Sequence, residues 1–222
     1  MPPIMQSSAG RSWFIAQRWQ LFEGEARANL LRIIAVGTFY IIHLLHYFAG
    51  ESGFLEFGDG PAVTDRFHLL VTLLAITWTM LSVGILLCLR NRIFPWWLPY
   101  FSTCCDIVLL TSVLYLANGP KSPLIVGYFL LIALAALRFS LPLVRLATFG
   151  SVLAYICLLG CAKWPETFGL GQADIRVPRY HQLIVLAAIT LCGILLGQVI
   201  RRVGRIFQEY AERLADADAI TP

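Results

Sequence analysis

The stretch FHLLVTLLAITWTMLSVGILLCL, residues 67–89, contains no Asp, Glu, Lys or Arg. A helix rises about 1.5 Å per residue, so roughly 20 apolar residues cross the ~30 Å hydrocarbon core of a bilayer. The rest of the chain is similar, because 58% of its 222 residues are hydrophobic and only 14% are charged. Its mean hydropathy is +0.72. This composition excludes an ordinary soluble domain and indicates several membrane crossings.

Five further apolar stretches have a comparable length. The sequence therefore predicts an all-α membrane protein with six transmembrane helices, at approximately residues 29–49, 67–89, 98–117, 123–138, 145–163 and 182–200. The fourth is the shortest, so it either starts earlier or lies where the bilayer thins. The predicted domains are a cytoplasmic leader, a transmembrane domain and the start of a signalling helix, at 1–28, 29–200 and 201–222.

The leader does not resemble a cleavable signal peptide, because it lacks a continuous apolar core. Its aromatic residues Trp13, Phe14, Trp19 and Phe22 alternate with charged ones. This pattern predicts an amphipathic helix lying on the inner leaflet.

The distribution of basic residues predicts the orientation. With a cytoplasmic N-terminus, only five of the 17 Lys and Arg residues fall on the outer side, namely Arg66, Lys121, Lys163, Arg176 and Arg179. Cytoplasmic loops are rich in Lys and Arg, so both termini are predicted to be cytoplasmic, in a bacterial inner membrane. No basic stripe with interleaved aromatics indicates nucleic-acid binding.

All four histidines fall at the predicted outer ends of their helices. His43 and His46 have the i, i+3 spacing that places two side chains on one helix face, about 10 Å and 6 Å below the outer boundary. His68 and His181 lie near the outer ends of the second and sixth spans. Polar groups at membrane depth are costly and often mark a site, and imidazole is the commonest metal ligand.

These four residues are therefore the predicted metal ligands. Together they would complete a tetrahedral set for zinc, or a nitrogen-rich site for copper, if spans one, two and six are neighbours. Haem b held by two of the histidines is an alternative. In a third interpretation each histidine is a separate interfacial side chain that hydrogen-bonds water or a carbonyl.

Asp106 is the one acid inside a predicted span. Exposure of a carboxylate to lipid would be prohibitive, so Asp106 should face the bundle and bind a partner such as Thr103, Thr111, Tyr155 or Arg138. The six cysteines all fall inside predicted spans, where they are interpreted as small buried side chains and not as a disulfide framework.

The last span continues without Pro into a charged helix. The apolar residues there are spaced four, three, four, three and four apart, at Cys192, Leu196, Val199, Val203, Ile206 and Tyr210. This is the spacing of a left-handed coiled-coil seam, and it predicts a homodimer that transmits a shift or rotation.

The segments SPLIVGYFLLIALAALRFSLPLVRLATFG and VPRYHQLIVLAAITLCGILLGQVIRRVGRIFQEYAERL resemble the membrane input modules of bacterial sensor histidine kinases and membrane-bound class III adenylyl cyclases. The resemblance is one of architecture over most of the chain, without a diagnostic motif. It implies a receptor module that detects a signal at the outer side or in the membrane and regulates a C-terminal cytoplasmic effector.

Catalysis by the chain itself is not expected, because GxSxG, HExxH, P-loop and GxGxxG motifs are all missing from it. A small transporter is the alternative from another class. Transporters usually combine broken helices with polar groups at mid-membrane, and here only Asp106 and scattered Ser and Thr residues offer these.

Overall fold

A computed structural model describes the backbone of residues 4–52, 65–91, 95–117, 119–164 and 177–220. In the first of these ranges the side chains are described for residues 22–48 only, and in the last for residues 177–206, 209 and 210. Its helices are α1 (Ile4–Ser52), α2 (Asp65–Arg90), α3 (Leu98–Leu116), α4 (Val126–Ala136), α5 (Leu141–Lys163) and α6 (Arg179–Ile220). Two 3₁₀ turns, Gly119–Lys121 and Pro123–Ile125, precede α4. The described residues contain no strand, which confirms the all-α prediction for them.

Five helices are long and apolar enough to cross a membrane. They are Phe22–Phe48, Asp65–Arg90, Leu98–Leu116, Leu141–Lys163 and Arg179–Ile206. The fourth predicted span is shorter, since its apolar helical part is Pro123–Ala136, about 21 Å at 1.5 Å per residue. Proline cannot donate a backbone hydrogen bond, and Pro120 and Pro123 lie in the 3₁₀ turns where a longer helix would have begun.

α1 and α2 form an antiparallel pair. Asn29 Nδ2, in the middle of α1, donates to the Ser82 carbonyl in the second half of α2 at 3.0 Å. The Tyr47 hydroxyl, near the end of α1, donates to Asp65 Oδ1 at the start of α2 at 3.4 Å. We call the end of the bundle where α2 begins the histidine end, because His43 and His68 lie there. The opposite end, where α3 and α5 begin, is the arginine end.

α4 is the central helix, with contacts to α1, α3, α5 and α6. Tyr128 is fully buried, and its hydroxyl lies 3.0 Å from Thr111 Oγ1 on α3. Directly after α4, Arg138 Nη1 donates to the Pro99 carbonyl in the first turn of α3 at 3.2 Å. Residues 119–138 therefore run from the last turn of α3 back to its first.

α6 packs against α5 and α4. Gly193 lies so close to Thr148 on α5 that a Cβ at this position would be 2.1 Å from the threonine Oγ1. The absence of a side chain at Gly193 thus permits close contact between the two helices.

The outer faces of the helices are apolar. Leu69, Met80, Phe149 and Leu195 are each more than half exposed. Such an extensive apolar surface is unfavourable in water and is matched by a bilayer. The apolar outer surface and the long apolar helices together indicate a membrane protein.

Two helices are much longer than a bilayer crossing. α1 has 49 residues and α6 has 42, about 73 Å and 63 Å at 1.5 Å per residue. The predicted boundary between leader and transmembrane domain at residue 28 falls inside α1, which continues from Ile4 without a break.

Candidate functional site

A polar face of α1 is buried at the arginine end. Glu25, Asn29 and Arg32 are spaced four and three residues apart, so they lie on one helix face. Their exposed fractions are 0%, 1% and 2%. Charged residues are almost never buried to this degree unless they are paired. Glu25 and Arg32 each have a partner of opposite charge.

Arg32 pairs with Asp106 on α3. Asp106 Oδ2 accepts from Arg32 Nε at 3.1 Å and from Nη2 at 2.7 Å, while Oδ1 accepts from Trp78 Nε1 at 2.8 Å. Arg32 Nη1 donates to Asn29 Oδ1 at 2.7 Å. The carboxylate therefore joins α1, α2 and α3.

A second ion pair lies beside the first. Arg138, in the turn between α4 and α5, contacts Glu25 Oε2 through Nε at 2.7 Å and donates to Oε1 from Nη2 at 3.0 Å. Its Nη2 also donates to Ser102 Oγ at 3.0 Å. Arg138 is 3% exposed. This pair joins α1 to the α4–α5 turn and to the start of α3.

The backbone is adapted to this contact. A Cβ on Gly24 would lie 2.9 Å from Arg138 Cα and 3.2 Å from the Leu137 carbonyl oxygen, so α1 approaches the turn closely only because residue 24 is glycine. Phe139, directly after Arg138 in this turn, has φ +50°. A non-glycine residue in this left-handed region costs about 1–3 kcal/mol, and such strain is often found at functional sites.

We call Glu25, Asn29, Arg32, Asp106 and Arg138 the polar cluster. Removing one partner of a buried ion pair costs about 3–5 kcal/mol, because the other charge remains buried without compensation. Apolar side chains would fill the same space at no electrostatic cost. The polar cluster therefore joins α1 to α3 and to the α4–α5 turn through contacts that are costly to break.

The sequence predicted part of this cluster. The prediction that Asp106 faces the bundle and has a partner is confirmed, but that partner is Arg32, with Trp78, and not Thr103, Thr111, Tyr155 or Arg138. Arg138 is paired with Glu25, which had been assigned to the leader. The overlooked signal was the presence of Arg32 and Asp106, two opposite charges, inside predicted spans.

Two of the four predicted metal ligands are in contact. His43 Nε2 lies 3.2 Å from His68 Nδ1, with the ring centroids 5.3 Å apart, so the two imidazoles meet at their edges. The Tyr47 ring stacks on His68 with the centroids 4.0 Å apart. Two nitrogens bound at about 2.0 Å to one tetrahedral ion would be about 3.3 Å apart, so this separation fits a shared zinc ion as well as a hydrogen bond.

The other two histidines are placed differently. His46 is half-buried on α1, one turn beyond His43, and His181 is exposed in the first turn of α6. α6 has its extensive contacts with α5 and α4, and not with α1 or α2. Within the described residues there is no group of three or more His, Cys, Asp or Glu side chains placed to hold a metal.

Comparison with known proteins found no matching family model, no matching curated sequence and no matching solved structure.

Proposed function

We propose that this chain is a membrane receptor module that detects a signal at the histidine end or within the membrane and regulates a C-terminal cytoplasmic effector. The observation that supports this most is the continuity of α6. Its apolar part, Arg179–Ile206, packs against the bundle, and the same helix continues to Ile220 without interruption. A continuous helix can transmit a shift or rotation from one end to the other.

The polar cluster supplies a route from the histidine end to α6. The histidine pair joins α1 to α2, while the Glu25–Arg138 pair joins α1 to the turn from which α5 begins. α5 in turn packs along α6. A displacement of α1 caused by a ligand at the histidine end would thus act on the α4–α5 turn and, through α5, on α6.

Dimerisation through α6 is part of this proposal. In the predicted seam, Cys192 and Leu196 pack against the core of their own chain, whereas Val199, Ile206 and Tyr210 are 56%, 43% and 63% exposed. The part of the seam that is free to contact a second copy therefore begins at Val199.

A second heptad register overlaps this seam. The packed face of α6, which includes Ile189 and Leu196, continues in the sequence with alternating spacings of four and three, at Ile200, Val203, Phe207, Tyr210 and Leu214. Val203 and Tyr210 belong to both registers. Two overlapping seams on one helix would permit two rotational states of a parallel dimer, as expected of a signalling helix.

The proposal includes six crossings with both termini cytoplasmic. The support is that residues 119–138 run the full length of α3, so the short α4 with its 3₁₀ turns connects opposite ends of the bundle. The basic residues favour the same orientation. It also includes a transition metal at the histidine end, with His43 and His68 as two of its ligands.

Disulfide crosslinking in native membranes tests the dimer. In a background without the native cysteines, single cysteines at Val203 or Tyr210 should crosslink two copies readily, because both registers place these residues at the seam. Cysteines at Arg205 or Gln208 are matched controls outside it. Uniform crosslinking at all four positions, or none at any, would contradict signalling through α6 and favour the transporter alternative.

A further inference from the structure

A cavity of about 130 Å³ lies between α1, α2, α3 and α4. Apolar side chains from all four helices form its walls. Arg32 and Trp78 line it at one end, where both bind Asp106, and His43 and Phe67 line it at the other. The cavity is therefore an apolar space between the polar cluster and the histidine pair.

The cavity has the length of one bilayer leaflet. Phe67 is in the first turn of α2, and Trp78 lies 11 residues further along the same helix, which corresponds to about 16 Å. Half of the ~30 Å hydrocarbon core is about 15 Å. The lining residues of the cavity on α2 thus cover a distance close to the thickness of one leaflet.

The exposure of two lining residues indicates that the cavity opens sideways between α1 and α4. Phe39 on α1 and Leu130 on α4 both line it, and both are also on the outer surface, with 43% and 38% exposure. At the arginine end, the Glu25–Arg138 pair joins α1 to the turn that follows α4. The opening faces the surroundings of the bundle, which in a membrane are lipid chains.

Physical considerations favour a hydrocarbon occupant. An empty cavity loses dispersion contacts along its walls, and water needs two to four polar partners that these walls do not supply. An engineered apolar cavity of similar size, about 150 Å³, stays dry and binds benzene. An anionic group is not favoured at the closed end, because the charge of Arg32 is already neutralised by Asp106.

We propose that this cavity binds a single hydrocarbon chain of an amphiphile from the leaflet at the histidine end. The end of the chain enters between α1 and α4 and lies beside Trp78, while the rest of the chain and its polar head stay in the surrounding leaflet. This site does not depend on the signalling proposal, since a chain binds there whether or not α6 dimerises.

Quenching of tryptophan fluorescence tests the proposal. Trp78 is kept as the only tryptophan by replacing the other five with Phe, at Trp13, Trp19, Trp96, Trp97 and Trp164. The full chain is placed in nanodiscs of phosphatidylcholine brominated either near the head or near the end of its chains. Bromine quenches on contact, so we expect stronger quenching of Trp78 by bromine near the chain end.

Filling the cavity separates a chain inside it from lipid around the bundle. Ala75→Phe fills the cavity from α2 and Ala35→Phe fills it from α1, so each should remove most of the quenching. Ala187→Phe, at an exposed position on α6, is the matched control and should leave the quenching unchanged. One of the two filled variants is enough for the test, provided that it is monodisperse and therefore folded. Unchanged quenching in it, or no quenching of Trp78 in the parent, would overturn the proposal.

Discussion

At the residue scale, the buried charges can be understood only as pairs. Asp106 alone could be predicted to need a partner, because a lone carboxylate in hydrocarbon is prohibitively unfavourable. Its partner could not be identified, since Arg32 is 74 positions away in the chain. The Glu25–Arg138 pair is separated by 113 positions, and Glu25 lies before the first predicted span, so hydropathy gave no reason to place it in the bundle.

We expect Asp106→Asn to lower the free energy of unfolding by about 3–5 kcal/mol, because it leaves the Arg32 guanidinium buried without a counter-charge. The control is Asp65→Asn, at an exposed position in the first turn of α2, which should change stability by less than about 1 kcal/mol. Thermal unfolding followed by circular dichroism in one detergent measures both. Equal stability of the two variants would mean that the Arg32–Asp106 pair does not hold α1 against α3.

The histidine pair gives a second residue-scale prediction. If His43 and His68 share a metal ion, protein purified in detergent should contain close to one zinc ion per chain by elemental analysis. His43→Ala and His68→Ala should each lower this content together with the thermal stability, because a metal bound only to the folded state stabilises it.

His181→Ala is the matched control for zinc binding, and it should keep the zinc content of the parent because the extensive contacts of α6 are with α5 and α4 and not with α1 or α2. If the protein is colourless, contains no metal and keeps the same thermal stability when zinc is added, the contact between His43 and His68 is only a hydrogen bond. An intense Soret absorption band would instead indicate haem.

At the element scale, hydropathy was sufficient to predict five of the six helices as long apolar helices, but it did not predict how short α4 is. A window of apolar residues predicts that a segment is buried in the membrane, but it does not detect the 3₁₀ turns that shorten α4. Those turns depend on Pro120 and Pro123, whose effect on the backbone is local. The packing partners of α6 were not predictable either, because the predicted seam and the packed face of the bundle share residues such as Leu196.

The contact between α1 and the α4–α5 turn can be tested through two glycines of α1. Gly24→Ala should destabilise the protein by about 1–3 kcal/mol, because the new Cβ meets backbone atoms of residues 137 and 138 that cannot move aside easily. Gly37→Ala is the matched control. No atom lies within 4 Å of a Cβ at that position, and Ala favours a helix over Gly by about 1 kcal/mol.

Gly37→Ala should therefore be neutral or stabilising in the same thermal unfolding experiment. If both alanine variants were equally stable, the close approach of α1 to the turn would not be a determinant of the fold.

At the scale of the whole molecule, the bundle has an apolar outer surface as well as an apolar core, and its two described buried ion pairs lie together toward one end. This arrangement places the polar cluster at the arginine end, between the histidine pair and the α5–α6 contact. The two long helices, α1 and α6, both extend beyond the bundle at this end. The composition predicted the apolar helices, whereas the joining of α1 to the α4–α5 turn depends on pairings far apart in the chain.

The central claim is that the arrangement of the bundle is transmitted to α6 in a dimer. Spin labels on a cysteine at Tyr210, in a background without the native cysteines, allow the distance between the two copies to be measured by pulsed electron paramagnetic resonance. Glu25→Gln weakens the pair with Arg138, so we predict that it shifts this distance distribution. Glu23→Gln, which removes only the exposed pair with Arg27, should not. Identical distributions in the parent and Glu25→Gln, or no dipolar signal between two copies, would contradict the account.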